Sequence, residues 1–160
     1  MASDIFPELQ ALFGKHIDSA EVVAFLAKYP KHKVSKPSDG HQHVVSEDHG
    51  FDVVFGPPDG QYRGGRTKEK RVLISLFLFT NASKYKSFLN PPLGLSLDDA
   101  AEQLIVKLGS PIQSEIRETG GFEWLKWKVD SLVLHVEFKK DQPKTKMFLF
   151  MTEAVVAALE

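Results

Sequence analysis

At 160 residues, with 42% apolar and 26% charged residues, the chain has the size and composition of one globular domain, or of two small halves sharing a core. Its formal net charge of −1 gives no overall pull toward nucleic acid or acidic membranes. Absence of cysteine excludes disulfides, thiol catalysis and thiolate metal sites, while twelve phenylalanines promise a large aromatic share of a core or an interface.

Asp4 or Ser3 can cap a short helix from Pro7 to Phe13, stopped by Gly14. Asp18-Ser-Ala-Glu21 has the capping-box pattern and opens a second helix. Val22, Phe25, Leu26 and Tyr29 share one face of it, and it ends before Pro30. Residues 41–46, the turn Glu47-Asp-His-Gly50 and Phe51-Asp-Val-Val-Phe55 predict a hairpin, with Phe51, Val53 and Phe55 on one face. Pro57-Pro58-Asp-Gly60 ends the second strand, and a basic loop follows from Arg63 to Arg71. The run Val72–Phe79 is apolar on both faces, so it belongs in the middle of a sheet or under cover on both sides.

An irregular connector with Tyr85 and Phe88 leads to Ser96-Leu-Asp-Asp99, a second capping box. It opens a helix with Ala101, Leu104, Ile105 and Leu108 on one face, closed by Gly109-Ser-Pro111. In the next hairpin, Asp130-Ser131 forms a two-residue turn, so Val129 faces Leu132, Trp127 faces Leu134 and Leu125 faces Val136. The opposite face then carries Phe122, Trp124, Lys126, Lys128, Val133, His135 and Glu137. The strand Lys146–Met151 echoes 72–79, and a short helix from Thr152 finishes the chain.

The pattern helix, proline, hairpin, apolar strand thus occurs twice. The expected class is α+β: two tandem α-β-β-β units form antiparallel sheet with the helices on one face. The domain is single, 1–160, with a pseudo-repeat at 15–80 and 93–152. One helix over three strands is a thin core, which argues for the halves joining.

Chemistry is sparse. His41 and His43 alternate on a strand, near His49, and could bind zinc, with Asp48 or Glu47 completing the set; otherwise they form a polar strand face near a turn. No nucleophile elbow, zinc-protease, P-loop or dinucleotide motif occurs. Ser83 and Ser110 lack a nearby histidine, and Gly64-Gly65 is too short a loop to cradle phosphate. Asp98, Asp99 and Glu102 fit the acidic first turn of a helix, and Glu115 and Glu118 fit a solvated loop. No cofactor is expected. Partner-binding candidates are Tyr62, Arg63 and Arg66 in the basic loop, with Phe122, Trp124, Lys126, His135 and Glu137 on the aromatic hairpin face. The N-terminus lacks a charged stretch before an apolar run, and no apolar run approaches the ~20 residues of a membrane span, so a cytoplasmic location is expected.

Tyr85-Lys-Ser-Phe88, Pro92-Leu-Gly-Leu-Ser96, the helix ending Leu108-Gly-Ser-Pro111, and the hairpin with Trp124-Leu-Lys-Trp127 and Leu134-His-Val-Glu-Phe138 together resemble immunity proteins encoded beside bacterial polymorphic toxins. The helix–Leu-Gly-x-Pro–hairpin unit is also similar in layout to β-lactamase-inhibitor proteins. The chain departs from the immunity group in having Asp98-Asp99 where an arginine is common. The resemblance implies a cytoplasmic toxin inhibitor without catalysis, occluding a cognate toxin effector domain, with no nucleic-acid or membrane partner, as a monomer or weak homodimer. Two alternatives stand beside it: an enzyme or metal-binding protein using the His41/His43 face, and a self-associating adaptor pairing through its aromatic face.

Overall fold

The computed structural model describes residues 4–61, 71–80 and 84–159. Helix α1 (Phe6–Leu12) starts where the Asp4 carboxylate accepts the Phe6 N–H, and Pro7 sits in its first turn. Helix α2 (Ala20–Ala27) is capped by Ser19, whose hydroxyl accepts the Val22 N–H at 3.4 Å and donates to the His16 carbonyl at 2.7 Å. The cap therefore lies one residue beyond the expected Asp18, because Ser19 also closes the preceding turn.

A two-residue strand β1 (Lys33–Val34) precedes the expected hairpin of β2 (Gln42–Ser46) and β3 (Phe51–Gly56). Strand β4 (Val72–Phe79) follows. Helix α3 (Ala101–Leu108) begins later than its capping box implies. Half of the box forms, Asp99 accepting the Ser96 N–H at 2.9 Å while the Ser96 hydroxyl takes the Asp98 N–H instead, and the regular helix waits for Ala100, whose N–H is held by the Gln103 side chain. Strand β5 (Gln113–Ile116) was not expected: Glu115 lies in a strand, not a loop. Strands β6 (Phe122–Val129) and β7 (Leu132–Phe138) pair as expected, including Val129 with Leu132, Trp127 with Leu134 and Leu125 with Val136. Asp130 takes the positive φ, 52°, that their tight turn requires. Strand β8 (Thr145–Thr152) and helix α4 (Glu153–Leu159) complete the chain.

All eight strands form one antiparallel sheet in the order β1-β2-β3-β4-β8-β7-β6-β5. The class is α+β, with four helices and an open eight-stranded sheet. Both double-sided apolar strands, β4 and β8, stand side by side at its centre, where both ladders are occupied. Strand register builds a lateral core row, Val44–Val53–Leu76–Phe150–Leu134–Trp127, across six strands. Each member is at most 2% exposed. Helices α1, α2 and α3 cover this face through Leu9, Phe25 and Leu104. Helix α4 does not join them. Its Val155 packs on the opposite face, against Val54, Ile74, Val133 and Met151, so the expected confinement of all helices to one side is corrected. Those four sheet residues were already apolar and needed cover of their own.

Candidate functional site

Helix α4 is short and shields only one end of its face, where Lys128 and Glu153 pair at 2.9 Å. Beyond it, no helix among the described residues covers two further rows. One runs Asp52–Phe77–Leu149–His135–Lys126, each the register partner of the next across β3, β4, β8, β7 and β6. The other runs Phe79–Met147–Glu137–Trp124–Glu115 across β4, β8, β7, β6 and β5. Five strands at about 4.8 Å spacing make a band roughly 20 Å wide. Phe77, Phe79, Leu149 and Trp124 are only partly buried along it.

The aromatic rings on this band are ordered by one another. Phe77 and Phe79 stack with centroids 6.0 Å apart, and Tyr85 from the connector lies on Phe79 at 4.0 Å. Trp124 contacts the His135 ring at 5.2 Å, and the Lys126 ammonium sits 5.1 Å from the indole centroid. The band is therefore apolar across β4 and β8, with the Asp52 carboxylate on one flank and mixed charge, Glu137, Lys126 and Glu115, on the other.

Asp52 and His135 are among the ionisable groups tuned by this setting. Burial pushes the Asp52 carboxyl above its ordinary range, opposed by the hydrogen bond from His43 Nδ1 at 2.9 Å. Desolvation, with the nearby Lys126 charge second, lowers His135 to about 4. The folded state thus holds His135 neutral. Its stability contribution is present above the unfolded value of about 6.5 and is lost as pH falls toward 4. Discounted for partial solvent exposure, the loss is about 1–2 kcal/mol. We expect thermal unfolding scans to show this drop between pH 6.5 and 4, and His135→Phe to flatten it. An equal drop in the variant would refute the assignment.

Of the residues singled out from the sequence, Trp124, Lys126, His135 and Glu137 do come together here, through the registers Trp124–Glu137 and Lys126–His135. Phe122 does not. Register shifts between Glu115–Trp124 and Ile116–Phe122 leave Glu123 as an extra residue in β6. This bulge turns Phe122 to the helix-covered side, where it packs against the main core. Tyr62, Arg63, Arg66 and Ser83 lie outside the described residues. The histidine pair is separated by its contacts: His41 is 7% exposed with Nδ1 3.1 Å from the Asp39 carbonyl, whereas His43 bonds Asp52. No group of three or more potential metal ligands forms among the described residues.

Phe77, Phe79, Met147, Leu149 and Tyr85 escaped attention as site residues. The sequence signal they carry is the apolar character of both faces of 72–79, which fits a central strand as well as one under cover on both sides.

At the far end of the band an open cleft of ≈ 370 Å³ is lined by Arg117, Glu137, Lys139, Lys140 and Asp141 among others. The two terminal nitrogens of Arg117 donate to the carbonyls of Phe122, Phe138 and Lys139 at 2.7–3.3 Å, its buried Nε has no partner among the described residues, and the remaining walls carry both signs. Arg117 thus ties β5 to the ends of β6 and β7.

No family model matches the sequence, and no curated protein matches it significantly. Two solved structures share the fold. An extracellular protein containing an SCP domain, from Bacillus anthracis str. Ames, superposes with a TM-score of 0.59 at 13% identity, over 94% of this chain and 47% of that one. A cysteine-rich secretory protein from Staphylococcus aureus subsp. aureus Mu50 gives 0.51 at 14% identity, over 92% of this chain and 45% of that one. These likenesses overturn the expected kinship with toxin-immunity proteins and the inhibitory function that came with it. The motifs behind that expectation, a capped helix, a Leu-Gly-x-Pro stop and a tight hairpin, are local solutions that any helix-on-sheet fold can use. The expected cytoplasmic location falls as well, since the proteins sharing the fold are described as extracellular and secretory. In fold, this chain is similar to about half the length of an extracellular SCP-domain protein.

Proposed function

We propose that this chain is a non-catalytic binding module of a secreted protein, seating a protein partner on the open face of its sheet. The observation that carries this reading is the partly exposed band of Phe77, Leu149 and Trp124, with Phe79 beneath Tyr85 at its edge. Apolar area of this kind, with aromatic anchors and flanking charges at Lys126, Asp52 and Glu115, suits a protein surface better than a small molecule, which needs concavity. The export reading is supported by the descriptions of the two structural neighbours.

The architecture is best explained as a duplication within a single domain, units 15–80 and 93–152. The strand order 1-2-3-4 and 8-7-6-5 is a mirror sequence about the β4–β8 pair, and each unit leads with a helix that covers the same side of the sheet. The partner face then straddles the junction of the two units.

Random peptides displayed on phage provide a probe. Selected peptides should be rich in apolar residues and lose at least tenfold in affinity to Trp124→Ala and to Phe77→Ser. They should also shift Trp124 emission, which is separable because Trp127 is 2% exposed and donates its indole N–H to the Gly109 carbonyl. Selected ligands indifferent to both substitutions would sink the proposal.

A further inference from the structure

The two edges of the sheet are protected very differently. Edge strand β1 is two residues long, carries Lys33, and is flanked by Lys31, Lys36, Pro30 and Pro37. Short length, lysines and prolines are the usual means of stopping a sheet from growing. Edge strand β5 carries Glu115 and is flanked by Pro111 and Arg117, but it is twice as long, all four residues are exposed, and no lysine or proline lies inside it. Ile112, just before it, and Ile116, its last residue, are 58% and 63% exposed. The bulge at this edge lies in β6, so β5 itself runs regularly through Gln113, Ser114, Glu115 and Ile116.

We propose that two copies of this chain pair antiparallel along β5, about a two-fold axis through Ser114, joining their sheets into one. The register follows from self-complementarity. Ser114 and Ile116 lie on the helix-covered side, opposite Leu125 and Phe122, while Gln113 and Glu115 lie on the open side, opposite Lys126 and Trp124. A two-fold perpendicular to the sheet keeps each side together and must pass through one residue. Centred on Glu115, it would oppose two like charges. Centred on Gln113, it would set Ile112 against Ser114. Centred on Ser114, it sets Ile112 against the other copy's Ile116, an apolar pair, and Gln113 against Glu115, a hydrogen-bonding pair. This arrangement covers both isoleucines. It also runs the two open bands into each other, with Lys126 and Gln113 of one copy continuing to Glu115 and Trp124 of the next. An edge of this length buries less than the ~1,200 Å² of a stable complex, so the dimer is weak and concentration-dependent.

Sedimentation of the full chain from ~10 µM to ~1 mM tests this. The wild type should pass from monomer to dimer, and Ile112→Lys with Ile116→Lys should stay monomeric. Both positions are over half exposed, so the double variant should keep its circular dichroism and melting temperature. Because the chain has no cysteine, Ser114→Cys provides a second, independent reading. Opposed Cα atoms on the axis stand within about 5.5 Å, and a disulfide-linked dimer should form in air. Ser35→Cys beside β1 should not form one. A wild type monomeric at ~1 mM, a dimer that survives the lysines, or equal cross-linking from Ser35→Cys would each overturn the pairing. None of these outcomes bears on peptide binding at the open face, so the two proposals fail separately.

Discussion

Gly50→Ala is expected to lose about 3–5 kcal/mol of stability and to lower the melting temperature by about 10 °C or more. Two costs combine. Gly50 sits at φ +71°, a conformation that an L side chain adopts at a cost of about 1 kcal/mol. Its Cβ would also fall 2.0 Å from the Lys86 carbonyl oxygen and 2.6 Å from the Phe88 nitrogen, both backbone atoms that cannot swing aside. To make room, the connector must move, and three hydrogen bonds are at risk: Lys86 N–H to Glu47, Phe88 N–H to Phe79, and Phe79 N–H to Gly50 itself. Gly94 separates the two costs. It has φ +69° but nothing within 4 Å of its virtual Cβ, so Gly94→Ala should cost only about 1 kcal/mol. Equal losses at the two glycines, measured by urea unfolding, would show that close packing of the connector is not what Gly50 serves. The same connector carries Tyr85 onto Phe79, so Gly50→Ala should also weaken peptide binding at the open face.

How far the sequence reaches depends on whether a feature is set locally. The β6–β7 register was legible to the residue because a two-residue turn fixes it and period-two alternation confirms it. The face of Phe122 was not, because one bulged residue, Glu123, inverts the alternation and leaves no mark in the composition. Strand β5 was hidden for a related reason. Gln-Ser-Glu-Ile has no apolar alternation, and it becomes a strand only because β6 offers it a ladder. At the open face, the double-sided apolar run 72–79 points to a central or doubly covered strand, and it is central, beside the strand at 146–151 that echoes it. Whether their second face is covered depends on the length and landing point of α4, which is a tertiary fact. So the hairpin alone places Trp124, Lys126, His135 and Glu137 on one face, whereas their neighbours Phe77 and Phe79 in β4 and Leu149 in β8 join that face only through the assembled sheet.

The second large effect is expected at Asp99. It is 6% exposed, and one carboxylate oxygen accepts from the Ser96 N–H at 2.9 Å and from the Lys107 ammonium at 2.7 Å. Lys107 in turn donates to the Gly94 carbonyl. The Asp99 backbone carbonyl accepts from both the N–H and the hydroxyl of Thr145, each at 2.9 Å, and Thr145 is fully buried at the start of β8. One residue therefore joins the connector, the last turn of α3 and a central strand. Asp99→Ala removes the carboxylate and leaves the Ser96 N–H without its partner, at a cost of about 2–4 kcal/mol. Lys107 is partly exposed and can reach water, which keeps the loss below that of a fully buried pair. Lys107→Met should cost less, about 1–2 kcal/mol, since Asp99 keeps its bond to Ser96. The double variant should then lose less than the sum, by about 1 kcal/mol or more, because each single change strands the other's partner. Additive losses in chemical denaturation would mean that the pair does no joint work, and that the helix is held by Leu104 and the Thr145 contacts alone.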